Sequence, residues 1–424
     1  MLLGRLSLAG SRFPYVIFVG AALMVCFAAT ACSGSGSTTS ETTSQETTAS
    51  QPTTSSSSEA TTAEGSAQEV EAAVESAMQK NDLKAVLVRV TKNGKEVATV
   101  VRGESMTGVP ATEEMHFRNG SVVFSYLATV LLQLVDEGEV GLDDTIDTWL
   151  PDLPSSDRVT LRMLANSTSG YIDYVPLDSF EDSIKKHPFA AWTDDELIKM
   201  VTDQPLLYEP GTNWSYSHGN WVILAKALTA ITGKPVDELI RERITEPLGL
   251  KGTQSYDTAE IPEPVLHAYS SERGTYEDST FWDPSWATAK GAVMITDIDD
   301  LVTSARAMGT GELVSSKSYE EQLAPTTVGL GVAPEDCPKN ECSVFVKQQP
   351  SAYFGLGNVV LGGWVLQNPQ FSGYGAVQAY LPSEDLAIAA AATHNEDVEE
   401  GLNGGEKVFE AAASVLAPDN PPKP

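Results

Sequence analysis

The chain is 424 residues long and carries 27 Lys+Arg against 58 Asp+Glu, a formal net charge of −31. Hydrophobic residues at 42% and charged residues at 20% are globular proportions and exclude wholesale disorder. So acidic a surface repels a phosphate backbone, which excludes nucleic acid as a partner.

Arg5 and Arg12 precede an apolar run from Pro14 to Ala31, which ends Ala29-Thr30-Ala31-Cys32-Ser33-Gly34. A positive start, an apolar stretch and small residues before a cut site describe a secretory signal over residues 1–31. The small residues before Cys32, with Ser-Gly after it, resemble the lipobox of bacterial lipoproteins, although Ala29 stands where that motif usually has Leu or Val. The resemblance implies lipidation of Cys32 and a membrane contact through that anchor alone. The alternative is an uncleaved anchor, since the run is about long enough to span a bilayer. Either way the remainder is expected at the extracytoplasmic face of the cell membrane.

Cutting before Cys32 removes two arginines and no acid, so 25 basic residues face 58 acids, a mature charge of −33. That charge keeps the body off an anionic lipid surface. Residues 32–66 are dominated by Ser and Thr and cannot bury enough surface to fold. They are expected to form a disordered tether with an r.m.s. reach of roughly 30 Å.

Residues 67–418 read as one mixed domain, followed by a Pro-rich tail over 419–424. Ala67 to Asn81 has helical apolar spacing, and β-rich runs at 85–90 and 97–101 flank Asn93-Gly94, a hairpin signal. Ser121 to Gly138 is a long apolar helix candidate. The middle third is helical and loop-rich. Strand-like runs return at 357–365, 376–381 and 386–392, and Gly405 to Leu416 closes as a helix. This order predicts an α+β fold: a sheet completed by both chain ends, with an all-helical subdomain inserted between its halves.

Cys337 and Cys342 form a close pair that, in an exported chain, reads as a loop-stapling disulfide. The five histidines show no metal spacing with one another or with the cysteines, so no metal or other cofactor is expected.

Several stretches together resemble the serine β-lactamase and D,D-peptidase family, especially its class C, esterase and penicillin-binding-protein-like branch. They include 132–138 (LQLVDEG), Leu142-Asp143-Asp144, Leu150-Pro151, 159–164 (VTLRML), Thr168-Ser169-Gly170 and Glu209-Pro210-Gly211. Tyr216-Ser217, Thr232-Gly233, 246–250 (EPLGL), Ser372-Gly373-Tyr374 and Leu381-Pro382 follow in order. The resemblance spans about 300 residues. It implies an antiparallel sheet flanked by helices beside a helical subdomain, with acyl transfer through a serine.

In that family Ser-x-x-Lys opens a helix, so nucleophile and base share a face. Here the equivalent stretch is Gly120-Ser121-Val122-Val123-Phe124. Ser121 fits the nucleophile, but Phe124 stands where the Lys belongs and cannot take a proton. Losing a general base costs about 10²–10⁴ in rate. The Tyr-x-Asn motif becomes Tyr216-Ser217-His218, with His218 in place of Asn. Counting back from Ser372-Gly373-Tyr374 puts Gln367-Asn368-Pro369 at the third motif, so Gln367 replaces a cation and Pro369 a Gly. Gly362-Gly363-Trp364 nearby leaves room for a gap in that alignment. By resemblance, the oxyanion donors are the backbone N–H groups of Ser121 and Gln370.

Three altered motifs point to a non-catalytic protein that binds a peptidoglycan-type peptide or a cell-envelope protein, expected to be monomeric. Three other readings stay open. One is a divergent serine hydrolase with Tyr216 or His218 as base, for which the sequence names no Asp partner; another is an assembly factor with no pocket function. The third makes Phe124 a substrate platform in place of core filler. Trp192, Trp214, Trp221, Trp282 and Trp286 read as core anchors or as the lining of an apolar cleft. A second Ser-x-x-Lys, Ser183 to Lys186, lies in a charged segment and reads as accidental.

Overall fold

The computed structural model describes residues 56–423 apart from 257, 336, 338–343 and 400. The signal stretch, Cys32 and Cys342 lie outside the described residues.

Helix α1 spans Ser56–Lys80, so residues 56–66, expected in the tether, are helical. Glu59-Ala60, Ala63-Glu64 and Ala67-Gln68-Glu69 are strong helix formers and carry the helix backward into the Ser/Thr tract. Strands β1 (Leu83–Lys92) and β2 (Lys95–Met106) pair antiparallel across Asn93-Gly94, whose φ angles of 53° and 68° suit a tight two-residue turn. Strand β3 (Val109–Pro110) lies at the sheet edge, where a proline is tolerated.

The main sheet has nine strands among the described residues. From β3 and β2 it runs through β1 to Leu386–His394, then Tyr374–Leu381, Trp364–Gln367, Val359–Leu361 and Ala352–Phe354. The short strand Gln370–Phe371 pairs with Tyr374–Leu381. Neighbours are antiparallel throughout. The run expected as one strand over 357–365 is two strands, because Gly362 and Gly363, at φ 58° and 88°, turn the chain back on itself. The Asn420 carbonyl accepts the Trp364 indole N–H at 2.8 Å, which holds part of the Pro-rich tail against this hairpin.

The two central strands, Tyr374–Leu381 and Leu386–His394, are buried along their whole length, as expected with helices on both faces. Trp364 meets Phe409 of the C-terminal helix Gly404–Leu416 on one face. Gln378 on the other binds Ser304 of helix Ile298–Thr310 and Ser125 of helix α2 (Val122–Asp136). Gln367 is paired directly with Gln378, so it shares the face that looks onto α2. Between α2 and the Ile298–Thr310 helix lies the helical subdomain, including Leu161–Ala165, Asp178–Lys186, Asp194–Thr202, His218–Thr232 and Val236–Ile240. The observed layers are those of the expected fold class.

Candidate active site

Helix α2 is apolar almost all round and is buried from Val122 through Leu132, which fixes its first turn firmly in the core. Gly120 precedes it at φ 51°, and a Cβ there would come within 2.5 Å of Pro369. Only glycine allows this close approach, which sets Pro369 against the residue before Ser121. Ser121, half-buried, makes no side-chain cap for its own helix. Its hydroxyl instead donates to Gln367 Oε1 at 3.3 Å. Gln367 is buried and its Nε2 donates to the Gly357 carbonyl at 2.7 Å, so both ends of the amide are engaged. Among the described residues no main-chain or side-chain acceptor takes the Ser121 N–H. Gln370 opens the short strand next to Pro369, and its side chain donates to the Leu402 carbonyl at 3.1 Å.

One turn after Ser121, the Phe124 ring is 1% exposed and lies flat on the Trp221 indole, 4.4 Å between centroids and 6° between planes. This is the position from which a lysine would serve Ser121, and it is filled by an offset aromatic stack. Trp221, Trp214, Trp282 and Trp286 are buried, and Trp286 stacks on Phe371 at 5.2 Å.

Tyr216, half-buried, sits edge-on to His218 at 5.1 Å. Burial above all, then the Asp173 charge, holds its phenol far above the ordinary tyrosine range, against a smaller opposing effect of the Ser121 hydroxyl. At neutral pH Tyr216 is therefore an intact O–H.

His218 is the first residue of helix His218–Thr232. Its Nδ1 lies 3.1 Å from each oxygen of Asp173, and its main-chain N–H donates to Asp173 Oδ1 at 3.2 Å. Ser217 spends its hydroxyl on the Ile172 carbonyl, so the Asp173 carboxylate does the capping that the Ser217 side chain does not. The same carboxylate orients the imidazole, leaving Nε2 as the ring nitrogen for other contacts. The rings of Phe124, Tyr174 and Trp286 surround His218 at 6.1, 6.0 and 6.4 Å. Among the described residues no hydrogen bond joins His218 to Ser121.

The structure thus brings Ser121, Phe124, Tyr216, His218 and Gln367 to one junction of sheet and helical subdomain, with Pro369, the residue before Gln370, packed at Gly120. Asp173 is the residue that the sequence reading missed. Its one local signal is an acid held in the otherwise apolar run Tyr171-Ile172-Asp173-Tyr174, directly after Thr168-Ser169-Gly170. Ser183 and Lys186 lie elsewhere, on helix Asp178–Lys186, where Lys186 pairs with Asp182 at 2.7 Å.

A model of the family described as Beta-lactamase matches residues 70–413. The chain belongs to the β-lactamase family. Among curated relatives it is 31% identical to "Penicillin-binding protein 4" of Amycolatopsis lactamdurans, over 46% of this chain and 51% of that one. It is 24% identical to "Esterase EstB" of Burkholderia gladioli, over 57% and 70% respectively. Among solved structures it superposes on a D-stereospecific amidohydrolase from Streptomyces sp. with a TM-score of 0.68 and 25% identity, covering 81% of this chain and 98% of the other. The chain spans about half the length of the curated penicillin-binding proteins it matches. These likenesses make it a β-lactamase- and penicillin-binding-protein-like member of the serine hydrolases.

Proposed function

We propose that this chain is an exported, lipid-anchored member of its family that binds a cell-envelope ligand at the Ser121 cleft without turning it over. The observation that carries the reading is the Phe124–Trp221 stack. The side chain one turn from the nucleophile is a buried phenyl ring, so Ser121 has no base from that position. Gln367, engaged at both ends, offers no replacement, and Tyr216 keeps its proton.

Export follows from residues 1–31, anchoring from Cys32, and a Cys337–Cys342 disulfide from their close spacing outside the membrane. A peptidoglycan-type peptide is the ligand class, a cell-envelope protein the other. The purified mature chain is expected to bind such a peptide saturably and to leave nitrocefin, p-nitrophenyl esters and D-amino-acid amides intact. Ser121-dependent hydrolysis of any of them overturns the reading. Palmitate incorporation by the wild type and not by Cys32→Ala tests the anchor.

The Asp173–His218 pair favours one alternative, a divergent serine hydrolase. In that case His218 Nε2 takes the Ser121 proton as Oγ bonds to the acyl carbon, and the imidazolium returns it to the departing amine or alcohol. Water then cleaves the acyl-enzyme by the same route. A fluorophosphonate that labels Ser121 in the wild type but not in His218→Ala supports this alternative. A folded, unlabelled wild type removes it.

A further inference from the structure

Arg89, Arg102, Arg158, Arg162, Arg241, Arg243, Arg273 and Arg306 each ion-pair with a carboxylate. Arg118 is the one described arginine that does not, and it is also the most deeply buried at 2% exposure. It ends the short strand Phe117–Arg118, just before the turn that carries Ser121. Its Nη2 donates to the Thr258 and Glu260 carbonyls at 3.3 and 3.4 Å, while Nε and Nη1 are buried without a partner.

The two groups that act on it most strongly, Tyr374 and Asp283, neither hydrogen-bond to it nor form an ion pair with it. The Tyr374 phenol donates to the Leu266 carbonyl at 2.5 Å, and burial raises its pKa, so it stays neutral. Asp283 acts on Arg118 only through space: its Oδ1 accepts the Ser285 N–H and hydroxyl at 2.9 and 2.5 Å, and its carboxylate makes no direct ion pair with the guanidinium. Burial lowers the Arg118 pKa only to about 10, so the guanidinium is charged at neutral pH. The next residue, Asn119, is completely buried and leaves both amide atoms unpartnered as well. Native interiors rarely leave so many donors bare, and a buried charge calls for an opposite one.

We propose that Arg118 holds a small monovalent anion of the chloride class inside the protein, next to the turn that carries Ser121. A single positive charge asks for a single negative one, and the near-complete burial admits only a compact ion. Bound there, the ion neutralises the guanidinium and ties the Phe117–Arg118 strand to the segment around Thr258 and Glu260.

The test is the unfolding midpoint of the purified chain in sodium chloride, bromide or gluconate at constant ionic strength. Chloride and bromide are expected to raise the midpoint saturably, by about 3 °C or more at a hundred times the dissociation constant, over gluconate. Arg118→Met should abolish the difference. Equal midpoints in all three salts, or the same rise in Arg118→Met, overturn the proposal. So does a chloride response that appears only in Asp257→Asn, which would make that carboxylate, next to Thr258 in the sequence and outside the described residues, the counter-ion. Should Arg118→Met not fold, bromide-soaked wild-type crystals decide: an anomalous peak in contact with the guanidinium supports the site, and its absence there overturns it.

Discussion

Two halves of the Ser121 junction differ: in one the Phe124 ring lies on Trp221 at 4.4 Å and Gln367 is bound at both ends; in the other, 6.1 Å from Phe124, His218 keeps two 3.1 Å contacts to Asp173. The first side is apolar or neutral and fully packed. The second holds a carboxylate and an imidazole. The difference follows from what else each residue does. Phe124 answers only to packing, as a ring 1% exposed and stacked on Trp221. Asp173 answers to more, because it also receives the first N–H of helix His218–Thr232 and the Val175 N–H. Removing it would uncap a helix as well as unpair a histidine.

The largest expected effect breaks the packed side. Phe124→Ala deletes a ring that is 1% exposed and stacked, and should cost about 3–5 kcal/mol in urea unfolding. A loss under about 1 kcal/mol would mean that the ring borders an open cleft, which restores the substrate-platform reading of Phe124.

A buried histidine elsewhere offers a comparison for half-buried His218. His394 is buried with Nε2 unpartnered, and desolvation lowers its pKa to about 4. Its folded pKa lies below the unfolded value of about 6.5. The stability it contributes is therefore present above pH 6.5 and is lost as pH falls through 4. Relative to His394→Gln, the wild type should lose about 3 kcal/mol between pH 7 and pH 4. A constant difference between the two proteins across that range would show that water reaches the ring.

Next comes the polar side itself. Asp173→Ala should cost about 1.5–3 kcal/mol, because it strands hydrogen bonds made to a charged group. Asp173→Asn keeps an acceptor for the helix N–H and should cost less. If the pair is purely a cap, Asp173→Asn leaves any Ser121 labelling unchanged. If it orients a base, labelling falls while stability holds.

Much of this was legible in the residues. Asn93-Gly94 announces its hairpin because Asn and Gly both take a positive φ angle cheaply. Counting back from Ser372 reaches Gln367, because a short antiparallel connection preserves spacing. The double turn at Gly362-Gly363 is harder to see, since two short strands read as one apolar run when both are buried. The start of α1 is obscured for the opposite reason: Ser and Thr dominate the composition there, while the fewer Ala and Glu decide the helix. Asp173 stays hidden because its partner lies 45 residues away and the contact depends on how the subdomain folds. Nothing in a local pattern reports such a pairing.

The smallest effect concerns the spare Ser-x-x-Lys, Ser183 to Lys186. Lys186 is 64% exposed and pairs with Asp182, also exposed, one turn away on the same helix. An exposed pair of this kind contributes about 0.3–0.5 kcal/mol, because water screens it and two long side chains must be ordered to make it. Lys186→Ala should therefore shift urea unfolding by less than about 0.5 kcal/mol and leave ligand binding and Ser121 labelling as they are. Lys186 is committed to that surface pair on an exposed helix and, among the described residues, makes no contact with Ser121. Any loss of binding in Lys186→Ala would put a charged surface helix in contact with the ligand and move the site away from the Ser121 junction.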